Sequence, residues 1–334
     1  MRRATGEMRR ALQSWLRACV PNPRRALAAA GPQEAEMRLL SFELNGAATV
    51  GVRVGEEVVD LSIAAPQLPR DIRSLLAAGP EALAVAEAAA SSANATARRP
   101  LEGLRHLTPI PRPDKIIGLG KNYMKHVEEM GAEVPSFPGM FLRTPDSLVA
   151  HNQALWRPEA SDTLDYEGEL MVVIGRGGRM ISREEALSHV AGYACHNDGS
   201  VRAYNYIPSA VTAGKNFLRT GGFGPEIVTA DELPPGCKGL RLSTYVNGGL
   251  RQSADIAEMR WDVAHLVHLM STIFALYPGD LIATGTPSGC AAGSPDPQWL
   301  TPGDVVRVEI EGVGALINPI EDAPRSRTDL DVRL

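Results

Sequence analysis

The chain has 334 residues, 44% hydrophobic and 5% aromatic, and its formal net charge of -5 comes from both signs scattered along its length. Such a chain has apolar content for a real core, in one large domain or in a small domain joined to a larger one. No basic stripe or aromatic platform presents itself to a nucleic acid, and no run approaches the roughly 18 apolar residues of a membrane span, so neither partner is expected. Cys19, Cys195, Cys237 and Cys290 include no Cys-x-x-Cys pair. That suits reduced thiols in a cytoplasmic protein better than a disulfide framework or a zinc site.

Residues 1–36 form an Arg/Ala-rich extension in which Arg2, Arg3, Arg9, Arg10, Arg17, Arg24 and Arg25 stand against one early acid, Glu7. An Arg-rich, acid-poor start is similar to an organellar transit peptide. The plainer reading, adopted here, is an extension ahead of a folded part that begins near Met37. From there to about Leu107 the pattern is short strands, with Asn45-Gly46 as a hairpin turn, and then a helix over Ile72 to Ala89. Pro109, Pro111 and Pro113 alternate, so their segment is extended and marks a boundary. It separates a small N-terminal β-rich domain, 37–107, from a larger domain, 108–322, with a tail over 323–334.

In the larger domain the pattern predicts a strand over Lys115 to Gly120 and a helix over Asn122 to Met130. Further strands follow over Leu170 to Ile174, Val190 to Cys195, Leu240 to Val246, Leu281 to Thr284 and Val305 to Ile310. Asn247-Gly248 reads as a second hairpin turn, and Asp262 to Leu276 as one clear helix. Many irregularly spaced strands with few helices argue for a mostly β, α+β domain of mixed-sheet or barrel-like form, not a doubly wound sheet. His265 and His268 share a face of that helix, but no His-Glu-x-x-His pattern surrounds them, and they read as a polar face.

The chemistry concentrates around Asp165-Tyr166-Glu167-Gly168-Glu169, which runs directly into an apolar stretch. Side chains alternate across a strand, so Glu167 and Glu169 point to one face, where two carboxylates repel unless a cation or proton intervenes. Asp198 follows the apolar segment ending at Cys195 and so caps a strand end. Three carboxylates with room for waters suit Mg²⁺ or Mn²⁺ rather than zinc, with Ca²⁺ a further oxygen-liking substitute; the alternative for the pair is a solvated strand face. His126 and Glu129, three apart, share a helix face on which the acid can orient the imidazole as a general base; the alternative is an ordinary exposed face. Lys215, beside such a site, can steady a developing oxyanion, or it is simply surface charge. Gly118-Leu119-Gly120 lacks a third glycine, which dismisses nucleotide binding.

Five ordered segments carry a resemblance. They are Gly-x-Asn-Tyr-x-x-His-x-x-Glu from Gly120, Tyr-Glu-Gly-Glu-Leu-x-Val-Val-Ile-Gly from Tyr166, Ala-Gly-Tyr with Asn-Asp-x-Ser-x-Arg ending at Arg202, Gly-Lys-Asn-Phe around Lys215, and Gly-Asp-Leu-Ile-Ala-Thr-Gly-Thr-Pro ending at Pro287. From about Ile116 to Pro319 the chain resembles the fumarylacetoacetate hydrolase family. The resemblance implies a mixed β-roll or barrel domain, usually as a homodimer, acting on 2-oxo acids that carry a second carbonyl or enol. It implies that Glu167, Glu169 and Asp198 are Mg²⁺ ligands, that His126 and Glu129 are a catalytic dyad on a short lid segment, and that Lys215 is an active-site lysine. Where many relatives have glutamine seven residues after the metal aspartate, this chain has Asn205. Tyr123, Arg143, Arg202, Asn205 and Thr286 are candidate substrate contacts, each with a structural hydrogen bond as the alternative.

The reaction expected is metal-dependent hydrolytic C–C cleavage of an acylpyruvate-like or other β-diketo acid, with water activated by His126 and an enolate stabilised by Lys215. A 2-oxo acid decarboxylase or an enol/keto isomerase would use the same residues. A catalytically idle metal-binding protein of the same fold is the reading from another class.

Overall fold

The strand Gly168–Ile174 is buried at all seven positions, which requires a sheet covered on both faces. The computed structural model describes residues 37–207 and 210–324. In chain order these include β1 (Arg38–Leu44), β2 (Ala47–Val54), β3 (Glu57–Asp60), α1 (Ile72–Ala77), α2 (Pro80–Ser92), β4 (Ile116–Gly120), α3 (Met124–Glu129) and β5 (Gly139–Arg143). There follow β6 (Gly168–Ile174), β7 (Val190–Asn197), β8 (Gly221–Thr229), β9 (Arg241–Val246), β10 (Gly249–Asp255), α4 (Val263–Ile273), β11 (Leu281–Ala283), β12 (Val305–Ile310) and β13 (Gly314–Asp322), with shorter pieces between.

The main sheet has 12 strands, ordered along its path as Arg98–Pro100, β3, β2, β1, β8, β7, β6, β11, β4 and β5. A second, five-stranded sheet runs β10, β9, β12, β13 and Leu155–Arg157. The chain is mostly β with mixed sheets, as expected, but neither sheet closes into a barrel. The alternation of β6 divides two cores. Leu170, Val172 and Ile174 pack with Leu242, Val306 and Val308 of the second sheet and with α4, while Met171 and Val173 pack with Ile72, Leu75 and Ala86 of α1 and α2.

Both predicted hairpin turns form. Asn45 and Gly46 have φ of 53° and 79°, and Asn247 and Gly248 have 52° and 80°, the left-handed values that two-residue hairpin loops need. The single helix expected over Ile72 to Ala89 is two, because Gly79 at φ 87° ends the first and Pro80 starts the second. In α4, Val263, Leu266, Val267 and Met270 recur on one face and are buried, and the Asp262 side chain caps it by accepting from His265 N at 2.9 Å. His268 Nδ1 lies 2.7 Å from the Ile181 carbonyl, and among the described residues no metal-ligand cluster includes His265 or His268.

Strands from both sides of the boundary expected near 108 share the main sheet, since β1 pairs antiparallel with β8, Arg38 opposite Val228. Buried Glu226 of β8 accepts from Arg38 at 2.9 Å and from Arg53 of β2 at 3.1 Å. The Arg-rich extension, Cys19 and the end of the tail lie outside the described residues.

Leu266 is fully buried between α4 and the sheets. Leu266→Ala is expected to lower the unfolding free energy by about 2–5 kcal/mol. In urea denaturation this appears as an earlier midpoint at unchanged slope.

Candidate active site

β6 and β7 pair antiparallel, with Gly168 opposite Asn197 and Glu169 opposite His196. The residue before β6 and the residue after β7 therefore meet at one end of the pair. Asp198 N donates to the Glu167 carbonyl at 2.8 Å, and Glu167 N donates to Asn197 Oδ1 at 3.0 Å. Glu167, Glu169 and Asp198 converge, with one carboxylate oxygen from each lying within 4.8 Å of the others. They are only 5%, 1% and 0% exposed, so the reading of Glu167 and Glu169 as a solvated strand face is not what the fold gives them.

The second sheet backs this corner. A Cβ on Gly168 would lie 2.0 Å from Thr244 Oγ1, so the residue between the two acids has no room for a side chain. Gly168 N donates to Gln252 Oε1 at 2.9 Å, and its carbonyl accepts from Thr286 Oγ1 at 2.9 Å. Gln252 Nε2 donates in turn to Thr286 Oγ1 at 2.8 Å.

Cations crowd the acids. Lys215 Nζ donates to Glu167 Oε2 at 2.6 Å and also to Asp198 Oδ2. Arg143 Nη1 donates to Asp198 Oδ1 at 2.5 Å. Arg202 places Nη2 2.5 Å from Glu167 Oε1 and donates from Nε to Asp165 Oδ2 at 2.8 Å. Burial acts to raise Glu167, but Arg202 and Lys215 outweigh it and hold the carboxyl below its ordinary value. Asp198 is likewise held well below, Lys215 and Arg143 overcoming its burial. Burial also disfavours the Lys215 ammonium, yet Asp198 and Glu167 keep its pKa above the usual lysine value.

Among the described residues Glu169 has no such partner. Its Oε2 accepts there only from Gly285 N at 2.9 Å, and burial together with the charges of Asp198 and Glu167 raises it well above the carboxylate range. A divalent ion among the three acids would remove that conflict. Tyr123 Oη, His196 Nε2 and Asn197 Nδ2 are buried with no hydrogen-bond partner among the described residues. His196 Nε2 is 3.6 Å from Asp198 Oδ1. An all-oxygen ligand set fits a hard ion of the Mg²⁺, Mn²⁺ or Ca²⁺ kind.

The dyad lies on α3. Asn122, fully buried, holds the start of that helix by donating from Nδ2 to the carbonyls of Trp261 and Thr284 and accepting from Trp261 N at 2.8 Å. His126 Nδ1 is 3.2 Å from Glu129 Oε2. Glu129 is itself fixed by Gly289 N, at 2.9 and 3.1 Å from its two oxygens, and its carboxylate occupies the space that a Cβ on Gly293 would need. A positive charge on the His126 imidazole would act to lower Glu167. Cys290 Sγ lies 4.0 Å from His126 Nδ1, and burial pushes this thiol up to about 12.

Lys215 and the three acids thus come together, and His126 pairs with Glu129 on α3, which the 290s loop holds through Gly289 N. The expected substrate contacts sort differently. Arg202 and Thr286 are buried against the acids and the backbone between them, Arg143 divides its hydrogen bonds between Asp198 and the Gly199 carbonyl on one side and Ser147 and Thr220 on the other, and Tyr123 keeps a buried hydroxyl whose pKa burial and Glu169 raise. Asn205 packs its amide on Gly214, next to Lys215, and its Oδ1 is buried without a partner among the described residues. Sequence reasoning missed Asp165, Asn122, Gln252, Gly289 and Cys290. Asp165 anchors the 290s loop by accepting from Ala291 N at 2.9 Å and Ala292 N at 3.0 Å. It shares the strand parity of Glu167 and Glu169, which was its one sequence signal; Gln252 had none.

The profile described as fumarylacetoacetate (FAA) hydrolase C-terminal matches residues 115–321. The chain is 34% identical to the mitochondrial oxaloacetate tautomerase fahd2 of Xenopus laevis, over 85% of this chain and 90% of that one. It is 39% identical to the oxaloacetate tautomerase YisK of Bacillus subtilis, over 64% and 71%. Among solved structures, a maleylpyruvate hydrolase from Sphingobium sp. SYK-6 in complex with manganese(II) and pyruvate superposes with a TM-score of 0.72 at 29% identity, covering 86% of this chain and all of that one.

Gly168→Ala drives a methyl group into Thr244 Oγ1 and is expected to cost about 1–3 kcal/mol of stability. Gly168→Ala combined with Thr244→Ala should recover part of that loss in a denaturation double-mutant cycle.

Proposed function

The chain belongs to the fumarylacetoacetate hydrolase family, and from that premise we propose that it is a divalent-metal-dependent enzyme interconverting the keto and enol forms of a small 2-oxo acid, oxaloacetate foremost. The observation that carries this reading is a carboxylate-oriented imidazole beside three convergent buried carboxylates, two of them bridged by a lysine. The relatives named as oxaloacetate tautomerases favour this outcome over the hydrolysis expected from the sequence.

Glu167, Glu169 and Asp198 would hold Mg²⁺, or Mn²⁺ or Ca²⁺ in its place, and the ion when bound supplies Lewis-acid polarisation of the 2-oxo group. With Nδ1–H turned to Glu129, His126 carries its lone pair on Nε2. That nitrogen takes a proton from the carbon beside the 2-oxo carbon, and the Lys215 ammonium steadies the charge that develops on oxygen. Return of the proton to that oxygen completes the enol, with no water consumed and no bond to carbon broken other than C–H. Arg143 and Arg202 act on the acids rather than on the substrate, and Tyr123 Oη and Asn205 Oδ1 are the groups left to meet it.

Hydrolytic C–C cleavage is the second reading, favoured by the likeness to a maleylpyruvate hydrolase; the same base would then take its proton from water. With Mg²⁺- or Mn²⁺-loaded protein and oxaloacetate, the enol absorbance should relax faster to an unchanged equilibrium. Accumulation of carbon dioxide and pyruvate would replace tautomerisation by decarboxylation, cleaved acids from a diketo acid panel would replace it by hydrolysis, and metal binding without any turnover would mark an idle protein. His126→Ala should lower the rate about 10²–10⁴-fold. The same variant should keep the rise in melting temperature on adding Mg²⁺, a ligand stabilisation of about 3 kcal/mol at a hundredfold excess over Kd.

We also propose a homodimer. β5 is an end strand of the main sheet and exposes Met140 and Leu142, with Phe137 just before it. Asn216, which binds the Leu142 carbonyl and Thr144 N, brings the segment of exposed Val211 alongside. Such an edge invites a second copy. Leu142→Glu is expected to shift the protein from dimer to monomer in light scattering. For its location we keep the cytoplasm, the Arg-rich extension being the feature that organellar import would read; a fluorescent fusion of the full chain decides.

A further inference from the structure

We propose that His126, Glu129 and Cys290 form a second cation site, selective for thiophilic ions such as Zn²⁺ or Cd²⁺, whose occupation silences the base. The three side chains offer a nitrogen, a carboxylate oxygen and a sulfur, all within 4.8 Å of one another. Nδ1 stands 3.2 Å from Glu129 Oε2 and 4.0 Å from Cys290 Sγ. Tetrahedral zinc, with bonds of about 2.0–2.3 Å, separates its ligands by roughly 3.3–3.8 Å, so these atoms need shift by an ångström or less. Water would complete the fourth position.

The loop is built for this approach. Gly289 N holds Glu129 in place, Gly293 leaves room for its carboxylate, and Cys290 lies between them in sequence. His126 and Cys290 are 8% and 3% exposed, while the Glu129 side chain, 21% exposed, is the open side by which an ion enters.

The donor set separates this site from the three acids. Oxygen ligands alone favour Mg²⁺, Mn²⁺ or Ca²⁺, whereas a thiolate with an imidazole favours zinc and its soft relatives. Protons balance as follows. Cys290 Sγ–H gives its proton to solvent as the metal–sulfur bond forms. The Nδ1 proton, displaced from its bond to Glu129, is matched by one taken up at Nε2, so the imidazole stays neutral and one proton is released per ion. Nε2 then has no lone pair to accept a proton from substrate.

The activity arm of the test rests on the tautomerase reading, and the binding arm does not. Cd²⁺ is titrated into Mg²⁺-saturated full-length protein carrying Cys19→Ser, which removes the thiol outside the described residues. An ultraviolet cadmium–thiolate band should grow with the release of one proton per ion, and enolisation should fall about ten-fold or more. In Cys19→Ser with Cys290→Val, or with Cys290→Ala should valine not fold, the band should vanish and basal activity persist with less than about a two-fold loss on adding Cd²⁺. Absence of the band in the Cys19→Ser protein, or its survival without Cys290, overturns the site. A band with proton release but no inhibition overturns the silencing and, with it, His126 as the base.

Discussion

Three carboxylates held within a few ångströms of each other, out of water, repel, and most of what surrounds them answers that repulsion. Lys215, Arg143 and Arg202 neutralise Glu167, Asp198 and the neighbouring Asp165. Glu169 is left with a backbone amide and the charge of its neighbours. That imbalance is local and directional: an ion among the acids would complete a charge balance that the protein's own cations leave unfinished. Residues whose types suggested substrate contact, Arg143 and Arg202 above all, are drawn into this balance.

The fold's contribution is rigidity at that corner. β6 is buried on both faces, with its odd and even residues in different cores. The acids sit where this strand and β7 end, and Gly168 lets the second sheet press directly against the backbone between them. Dyad and acids belong to different elements joined through Asn122, Thr284 and the 290s loop. A displacement of one is therefore felt by the other, and positioning of this kind is where enzymes gain much of their rate.

Much of this was legible beforehand. Hairpin turns were, because Asn-Gly in the left-handed region is a local property, and so was the capped, amphipathic α4. The convergence of the three acids and the pairing of His126 with Glu129 were legible because their order and spacing carry a family resemblance. The break at Gly79-Pro80 was equally local, since a left-handed glycine followed by a proline ends one helix and starts another. The open sheets were not legible: strand patterns look alike whether a sheet closes or ends on an edge strand such as β5.

By itself the sequence determined the mostly β class, the turns and the family, since each is written in neighbouring residues or in the ordered spacing of motifs. Only the tertiary structure decided which cations pair with which acids, that Thr286 and Gln252 brace Gly168, that Asp165 anchors a distant loop, and that Cys290 meets His126. Most of those pairings span more than thirty residues of chain, more than a hundred in several cases, and Lys215 with Asp198, at 17, is the shortest. They follow from strand register and loop path, which no local pattern of residues encodes.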